Sequence, residues 1–188
     1  MANFTERAIK ESFVKLLNER PLDKITVKDI VEDCGINRNS FYYHYQDVPT
    51  LLGQIVREQV DSVITEYPSV SSLEQAMGVM IDFAVKNRSA VLHIFNSGNR
   101  DILEKNLSDL CEDAIGKYVD TLIPDFDLSE DDKRIIIGFL KCEFLGVTVN
   151  WINGGMKDDL MKDTRRFFEI MPGLLEGALK ITESIKTE

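Results

Sequence analysis

Apolar side chains recur along this chain at intervals of three and four residues, the spacing of one face of an α-helix. In the first segment the recurrence runs through Phe4, Ala8, Phe13 and Leu17, and it predicts a helix over Thr5–Glu19. No stretch alternates apolar and polar residues as a half-buried strand would. The pattern therefore predicts an all-α fold of about nine helices.

Two short helices are predicted next, each preceded by a residue that favours a helix N-cap. Thr26 and Asp29 have the spacing of a capping box, and they begin a helix that stops at Gly35. Asn37 is a second N-cap, and the helix that it opens covers 38–44. Two helices of this length separated by a glycine turn have the form of a helix-turn-helix motif.

Six further helices, most of them longer, are predicted in the rest of the chain. With their capping residues they are Asp47–Glu66, Ser71 or Ser72 to Lys86, Ala90–Phe95, Asp101–Leu122, Ser129–Asn153 and Asp158–Ile185. Tyr67-Pro68 and Pro124–Leu128 are predicted to separate helices, and Pro172 is predicted to kink the last one. The chain is therefore divided into a helix-turn-helix domain at 1–47 and a larger helical domain at 48–188.

The eighth predicted helix is apolar on nearly every side, with Ile135, Phe139, Leu145 and Trp151 spread around it. A helix that is apolar all round is buried all round. One chain of 188 residues cannot surround it, so a second chain must cover part of its surface. The pattern predicts a homodimer formed through the last two long helices.

Composition narrows the function classes. Hydrophobic residues make up 44% of the chain, enough for a packed core. No apolar run approaches the roughly 20 residues that span a membrane, and 1–10 lack the apolar core of a signal peptide. These features predict a cytoplasmic protein without a membrane partner. Cys34, Cys111 and Cys142 are widely separated, so they predict core cysteines rather than disulfides, with a redox sensor as the alternative.

Charge is distributed unevenly. The chain carries a net charge of −10, which opposes nucleic-acid binding in general. Residues 1–47 hold seven Lys/Arg and eight Asp/Glu, whereas 48–188 hold 15 and 24. The acidity therefore lies mostly outside the helix-turn-helix, although that segment is not itself basic.

The second helix of the motif carries the chemistry of DNA recognition. Arg38, Asn39 and Ser40 lie at its start and offer donors for base edges and phosphates. Tyr42, Tyr43 and His44 follow, and their polar tips suit the sugar-phosphate backbone. Phe41 is the predicted core anchor. The alternative is an ordinary pair of bundle helices in which the aromatic rings only pack.

A family resemblance favours the DNA-binding interpretation. Residues 9–56 resemble the N-terminal domain of the TetR (tetracycline-repressor) family. The resemblance lies in Ile25-Thr26-Val27, Cys34-Gly35-Ile36-Asn37 and above all Phe41-Tyr42-Tyr43-His44-Tyr45, followed by Asp47 and Leu51-Leu52. The stretch from Phe144 to Lys157 is similar to a subgroup that includes regulators of dihydroxyacetone-kinase genes, some of which act with protein partners.

The resemblance implies a homodimeric, all-helical transcription regulator whose third helix enters the major groove. The family-type domain would cover about 3–63 and the motif about 26–45. Its partners would be double-stranded DNA with a pseudo-palindromic operator, a second copy of the chain, a small-molecule effector and possible protein co-regulators. By resemblance the DNA-contacting residues are Thr26, Val27, Asn37, Arg38, Asn39, Ser40, Tyr42, Tyr43 and His44. Gln46 and Val48 replace lysines that the family often has, which implies weaker phosphate binding.

The family also implies an effector pocket between helices of the 48–188 domain. Such pockets are mostly apolar with a few polar groups. The candidates are Met77, Met80, Ile81, His93, Phe95, Leu110, Phe139, Phe144 and Trp151, and the alternative for each is core or dimer packing. Release of a repressor by the effector is the expected mechanism. A helical ligand- or protein-binding module with weak or lost DNA binding is the alternative function.

Enzymatic function has no motif in its favour. The two histidines, His44 and His93, are not paired for catalysis or zinc, and the sequence has no glycine-rich phosphate loop or nucleophile elbow. Acidic pairs such as Asp131-Asp132 are better explained as helix N-termini. We therefore expect no enzyme activity, no metal and no cofactor.

Overall fold

The computed structural model describes residues 2–66, 73–122, 129–170 and 177, and these residues are almost entirely helical. The helices are α1 Ala2–Glu19, α2 Val27–Cys34, α3 Arg38–His44, α4 Val48–Glu66, α5 Leu73–Lys86, α6 Arg88–Phe95, α7 Arg100–Leu122, α8 Glu130–Asn153 and α9 Leu160–Ile170, with a 3₁₀ turn at Leu22–Lys24. Over the described ranges there is no strand. The predicted all-α fold is confirmed.

The first compact unit comprises 1–65 and 84–107. Within it α1 packs against α2, α3 and α6. The fully buried side chains at its centre include Ile9 and Phe13 of α1, Ile30 of α2 and Phe41 of α3. The helical spacing of these apolar residues thus builds one core that fixes the orientation of the short α3.

The second compact unit comprises 66–83 and 108–188. Its core contains Cys111, Ile115 and Val119 of α7 together with Phe144 of α8. After α8 the chain reverses through Gly155 and Met156, which both have positive φ. Trp151 holds this turn, because its indole Nε1 donates a hydrogen bond to the Asp158 carbonyl oxygen at 2.8 Å.

Four of the predicted helix starts, at Thr26, Asn37, Asp47 and Ser129, are confirmed by their caps. Thr26 and Ser129 each form a full capping box, and Asp47 accepts a hydrogen bond from the Thr50 backbone N–H at 2.8 Å. Three predictions were wrong by a few residues. The first helix begins at Ala2, three residues before the predicted Thr5. The sixth helix begins at Arg88, two residues before the predicted Ala90. Asp101 lies in the first turn of α7 and is not its cap.

Several predictions fall outside the described residues. They are the Tyr67-Pro68 break, the helix start at Ser71 or Ser72, the Pro124–Leu128 loop and the Pro172 kink. The ninth helix, predicted over 158–185, is described over Leu160–Ile170. The predicted domain division at 47/48 follows the helix-turn-helix motif, whereas the first compact unit continues through most of α4 and includes α6.

The surface of α8 is largely uncovered within one chain. Its buried residues are Phe144, Thr148, Trp151 and Ile152, while Phe139 is 78% exposed. The expectation that no apolar run approaches membrane-spanning length was wrong. By length and composition alone α8 could cross a membrane, and of the described helices it is the only one that could. A single such helix is weak evidence for a membrane, because core helices pass the same test.

Candidate nucleic-acid interface

The turn between α2 and α3 is fixed by local hydrogen bonds. Gly35 ends α2 with a φ of 70°, a left-handed conformation that glycine adopts without strain, and its N–H bonds to the Val31 carbonyl oxygen. Asn37 then caps α3, where its Oδ1 accepts a hydrogen bond from the Ser40 N–H at 2.9 Å. The hydrogen bonds of Gly35 and Asn37 therefore fix the angle between α2 and α3.

The inner face of α3 is anchored in the core. Phe41 is completely buried and lies edge-on to Tyr42, with ring centroids 5.6 Å apart. Tyr45, the C-cap of α3, is buried as well, and its ring centroid is 5.8 Å from that of Phe41. The predicted core role of Phe41 is confirmed. With this face fixed, the remaining side chains of the helix have a defined outward direction.

The N-cap and the outer face of α3 present four of the nine predicted DNA-contacting residues in well-exposed positions. Asn37, Arg38 and Asn39 are exposed at its start, and Tyr43 further along is 81% exposed. Arg38 makes no ion pair with another described residue, so its guanidinium is available to a ligand. The exposed surface is therefore rich in donors and aromatic hydroxyls.

Four of the predicted residues are less accessible. Tyr42 is 55% exposed, whereas Ser40 and His44 are half-buried. The ring of His44 lies edge-on to that of Tyr43, with centroids 5.1 Å apart. Val27 packs against the core of the first unit, so its side chain has little surface to offer.

A negatively charged side chain, Asp29, already lies at the N-terminus of α2. Thr26 Oγ1 donates to Asp29 Oδ2 at 2.6 Å, and Asp29 Oδ1 lies 3.2 Å from the Arg20 guanidinium. Hydrogen bonding from Thr26, assisted by Arg20, lowers the pKa of the Asp29 carboxyl below its ordinary value. A carboxylate therefore already occupies this helix N-terminus, and an approaching phosphate would lie beside it.

A polar cluster behind α3 escaped the sequence analysis. Lys10 Nζ contacts Glu6 Oε1 at 2.7 Å and Glu58 Oε1 at 2.7 Å, and Gln54 Nε2 donates to both carboxylates. The Tyr45 hydroxyl lies 3.4 Å from Glu6 Oε1, and burial raises the pKa of Tyr45 to about 12. The only sequence signal was the Glu6/Lys10 spacing on α1, because Glu58 lies 48 residues away.

The residues predicted to line the effector pocket are divided between the two compact units. His93 and Phe95 belong to the first unit, where His93 Nδ1 hydrogen-bonds the Leu17 carbonyl oxygen at 2.6 Å and Phe95 is buried beneath Arg100. In the second unit Met80, Ile81, Leu110 and Trp151 are buried in the core, and Phe139 is exposed. Met77 and Phe144 line a cavity in that unit.

The described residues offer no metal centre, since no three His, Cys, Asp or Glu side chains lie close enough to hold an ion. Of the cysteines Cys111 is buried, Cys34 is half-buried and Cys142 is exposed. Burial raises the pKa of the Cys111 thiol to about 12, as expected for a core cysteine. The prediction that the cysteines lie in the core is therefore wrong for Cys142.

Two family models match the chain. The model for bacterial regulatory proteins of the tetR family matches 12–52, and a model for a transcriptional regulator C-terminal region of TetR type matches 71–173. The second match alone covers more than half of the chain. The chain belongs to the TetR family.

Sequence relatives of this TetR-family chain are distant. The HTH-type transcriptional regulator SAB2452 of Staphylococcus aureus (strain bovine RF122 / ET3-1) is 21% identical over 102 residues, which cover 50% of this chain and 55% of that regulator. The uncharacterized HTH-type transcriptional regulator YxbF of Bacillus subtilis (strain 168) is 27% identical over 63 residues, 34% of this chain and 17% of the relative. The chain thus spans about half of the first relative and less of the second.

Solved structures share the fold of this TetR-family chain over nearly its whole length. The dihydroxyacetone kinase operon activator DhaS has a TM-score of 0.72 against this chain and is 20% identical in sequence. The match covers 94% of this chain and 97% of DhaS. The fatty acid degradation regulator FadR from Bacillus halodurans has a TM-score of 0.62 at 13% identity, covering 88% of this chain and 93% of FadR. The predicted likeness to dihydroxyacetone-kinase regulators is therefore confirmed for the fold.

These findings place the chain among the TetR-type transcriptional regulators. The fold, the family and the general function agree with the sequence analysis. Regulators of this kind are not typically enzymes.

Proposed function

We propose that this chain acts as a homodimeric repressor that binds a pseudo-palindromic operator and is released by a small-molecule effector in the cytoplasm. The observation that carries the DNA-binding part is the outer face of α3. Arg38, Asn39 and Tyr43 point away from a core that Phe41 anchors. Arginine and asparagine side chains make the commonest specific contacts with base edges in the major groove.

Each predicted contact has a definite role in this proposal. Arg38 and Asn39 contact base edges, because the N-terminal residues of a recognition helix reach the groove floor. Tyr42, Tyr43 and His44 contact the sugar-phosphate backbone. Thr26, Val27, Asn37 and Ser40 lie at the two helix N-termini and contact phosphates there, although the N–H groups of Thr26 and Ser40 are already bonded to the side chains of Asp29 and Asn37.

The homodimer is supported by the uncovered face of α8. Ile135 and Phe139 are 48% and 78% exposed, and Val147 is 39% exposed. Burying such hydrocarbon against a second copy is worth about 25 cal/mol per Å². A two-fold dimer presents two α3 helices to DNA, and half-sites about 34–36 Å apart fit one turn of the double helix.

Release by an effector follows from linkage. A ligand that binds the DNA-free form more tightly lowers DNA affinity by the ratio of its affinities for the two forms. Activation, alone or with a protein co-regulator, is the second mode of regulation, and DhaS, whose fold this chain shares, is named an operon activator. Either mode uses the same DNA-binding surface.

A helical regulatory module with weak or lost DNA binding is the alternative function. It is favoured by Gln46 and Val48 at the start of α4 and by the one excess acidic residue in 1–47. Few lysines near the phosphates reduce both affinity and its dependence on salt.

The test is a titration of the purified protein with DNA from immediately upstream of its own gene, at two salt concentrations. We expect saturable binding that weakens steeply with salt, since each phosphate contact releases counterions, yet survives competitor DNA. Affinity equal to that for random DNA, there and at other operators selected from a random-sequence pool, would exclude the operator-binding function and leave the helical module.

A further inference from the structure

The helical register of α3 determines which of its side chains face a DNA groove. At 3.6 residues per turn, the positions two residues before and two residues after the buried Phe41 lie about 160° around the helix axis from it. Asn39 and Tyr43 occupy these positions, and both are exposed. Arg38 lies on one side of this line and is also exposed, whereas Ser40 on the other side is half-buried. The line through Asn39 and Tyr43 is therefore the part of α3 that a groove receives.

Two side chains at the start of α3 keep their full set of hydrogen-bonding groups available. In the part of the chain that the structure describes, neither Arg38 nor Asn39 forms a side-chain hydrogen bond or an ion pair with another residue. Asn37 and Ser40 differ, because Asn37 Oδ1 accepts from the N–H of Ser40 at 2.9 Å and from its Oγ at 3.2 Å. Those two residues maintain the cap of α3, so base recognition falls to Arg38 and Asn39.

The two available side chains are chemically matched to different bases. A guanidinium offers only donors, in a planar fork, and guanine presents two acceptors, O6 and N7, on its major-groove edge. A carboxamide offers an acceptor beside its donors, and adenine presents the N6 donor beside the N7 acceptor. Arg38 is thus complementary to guanine and Asn39 to adenine.

The spacing of the two bases follows from the geometry of the helix and of the duplex. Consecutive Cα atoms are about 3.8 Å apart, and base pairs are stacked about 3.4 Å apart along the duplex axis. The N-terminal residues of a recognition helix are the ones that contact base edges. Two consecutive residues at that end therefore reach base pairs that lie one or two steps apart.

We propose that each half-site of the operator carries a guanine read by Arg38 and an adenine read by Asn39, one or two base pairs apart. The inference rests on the proposed function and names the class of DNA sequence that it requires. Because a two-fold dimer places the same helix on both half-sites, the two bases recur in inverted orientation across the operator centre. Tyr43, one turn further along α3, contacts the backbone beside them.

Selection from a random-sequence pool of duplexes, with the full native chain, tests the proposal. We expect the recovered sites to share two inverted half-sites, each with one fixed guanine and one fixed adenine at the stated spacing. Duplexes in which an A·T pair replaces that G·C pair should then bind the native protein about fivefold to 150-fold more weakly, the range for one lost bidentate contact.

Arg38→Gln tests the guanine assignment by changing specificity instead of abolishing binding. A glutamine carboxamide pairs with adenine N6 and N7, so this variant should select adenine where the native chain selects guanine and leave the other positions unchanged. Only a folded protein can acquire a new preference, so loss of stability cannot imitate this result. Arg7→Gln is the matched control, because Arg7 is an exposed arginine of α1 that pairs with Glu11 at 3.6 Å. It should select the native sequence.

Asn39→Ala tests the adenine assignment. The variant lacks the carboxamide, so it should accept any base at the adenine position and keep its preference for guanine at the other. Its affinity for the native site should fall by about fivefold to 150-fold. Asn18→Ala is the control, since Asn18 is an exposed asparagine of α1 whose Nδ2 donates to the Val14 carbonyl oxygen at 2.8 Å. It should keep both preferences.

Three results would overturn the assignment. A native motif without a guanine and an adenine at this spacing would refute the base readout and leave the operator-binding function intact. An Arg38→Gln protein that still selects guanine would show that another residue reads that base. The absence of any enriched sequence with the native chain would exclude the proposed function, and the base assignment with it.

Discussion

The outer faces of α3 and α8 each expose an aromatic ring to a similar degree, but the side chains beside the two rings differ in polarity. Tyr43 on α3 is 81% exposed and Phe139 on α8 is 78% exposed. Tyr43 lies on a helix with Arg38 and Asn39, whereas Phe139 shares its face with Ile135. Exposure alone therefore indicates that a partner covers each surface. The polarity of the side chains beside each ring indicates which partner it is.

The two faces also differ in how they are supported. On α3 the exposed residues stand on a helix that is capped by Asn37 and anchored by Phe41, so they are preorganised for a rigid partner. On α8 the exposed side chains are hydrocarbon whose only favourable partner is other hydrocarbon. We infer that α3 contacts DNA and that α8 contacts a second copy, and substitutions on the two helices test this difference.

The largest effect is expected from Phe139→Asp. A charged residue at the centre of an apolar interface should dissociate the dimer, because the carboxylate would be buried without a partner. Loss of the second half-site contact should then weaken operator binding by about 100-fold or more. Sedimentation velocity and a DNA titration on the same preparation measure both effects.

Val85→Asp is the control, since Val85 is an apolar residue of α5 that is 52% exposed and lies off the α8 face. It should remain dimeric with unchanged DNA affinity. A dimeric Phe139→Asp protein would show that α8 is not the interface. In the native dimer Cys142, which is exposed on α8, should also react with a thiol reagent more slowly than in the Phe139→Asp monomer.

A change on α3 should act on DNA alone. Arg38→Ala removes an exposed guanidinium that makes no ion pair with another described residue, so folding and dimerisation should be unaffected. Loss of a base contact costs about 1–3 kcal/mol, equivalent to about a fivefold to 150-fold loss of operator affinity. The measurement is a titration with operator and with random DNA, because a base contact affects the first more.

Arg134→Ala provides the comparison on α8, where Arg134 is a similarly exposed arginine paired with Asp131 at 3.5 Å. We expect it to leave operator affinity unchanged. Equal affinities of the Arg38→Ala and native proteins for operator would remove Arg38 from the interface.

The sequence predicted the first unit better than the second, for physical reasons. Capping residues act within four positions, so Thr26, Asn37 and Asp47 located α2, α3 and α4 closely. The anchor Phe41 was equally evident from its place in the motif. The Lys10–Glu58 contact was not, because its two ends come together only when α1 packs on α4.

Pocket residues were harder to predict, because an apolar side chain looks the same in sequence whether it packs or lines a space. Met80, Trp151, Met77 and Phe144 are all buried, yet only Met77 and Phe144 line the cavity. His93 was singled out for its rarity, yet its ring is bonded to the Leu17 carbonyl oxygen.

Two capping boxes, one in each unit, give a smaller test. Thr26→Ala and Ser129→Ala each remove a cap whose side chain accepts from the N3 backbone N–H, and each should lower the free energy of unfolding by about 1 kcal/mol. Only Thr26→Ala should also weaken operator binding severalfold, because α2 begins at the proposed phosphate-binding end. Urea denaturation and DNA titration compare the pair, and identical DNA affinities would leave Thr26 a purely structural residue.

The smallest effect is expected at the cluster behind α3. Lys10→Met removes the cation that contacts Glu6 and Glu58. Partly exposed ion pairs of this kind contribute about 0.5–1 kcal/mol. The Lys10 hydrogen bond lowers the pKa of Glu6 below 4.5, and for Glu58 the bonds from Lys10 and Gln54 outweigh partial burial and lower its pKa too.

The sign of the pH dependence follows from those shifts. A carboxyl whose folded pKa is lowered stabilises the fold fully above its unfolded pKa of 4.5, and this contribution disappears as the pH falls through the folded value. The difference in unfolding free energy between the native protein and Lys10→Met should therefore be largest at pH 7 and shrink below pH 4.5. Urea denaturation at one protein concentration measures it, with Lys28→Met as control because Lys28 and Glu32 are both well exposed, 3.7 Å apart. A difference that stays constant with pH would show that Lys10 acts through packing of its aliphatic chain and not through the two carboxylates.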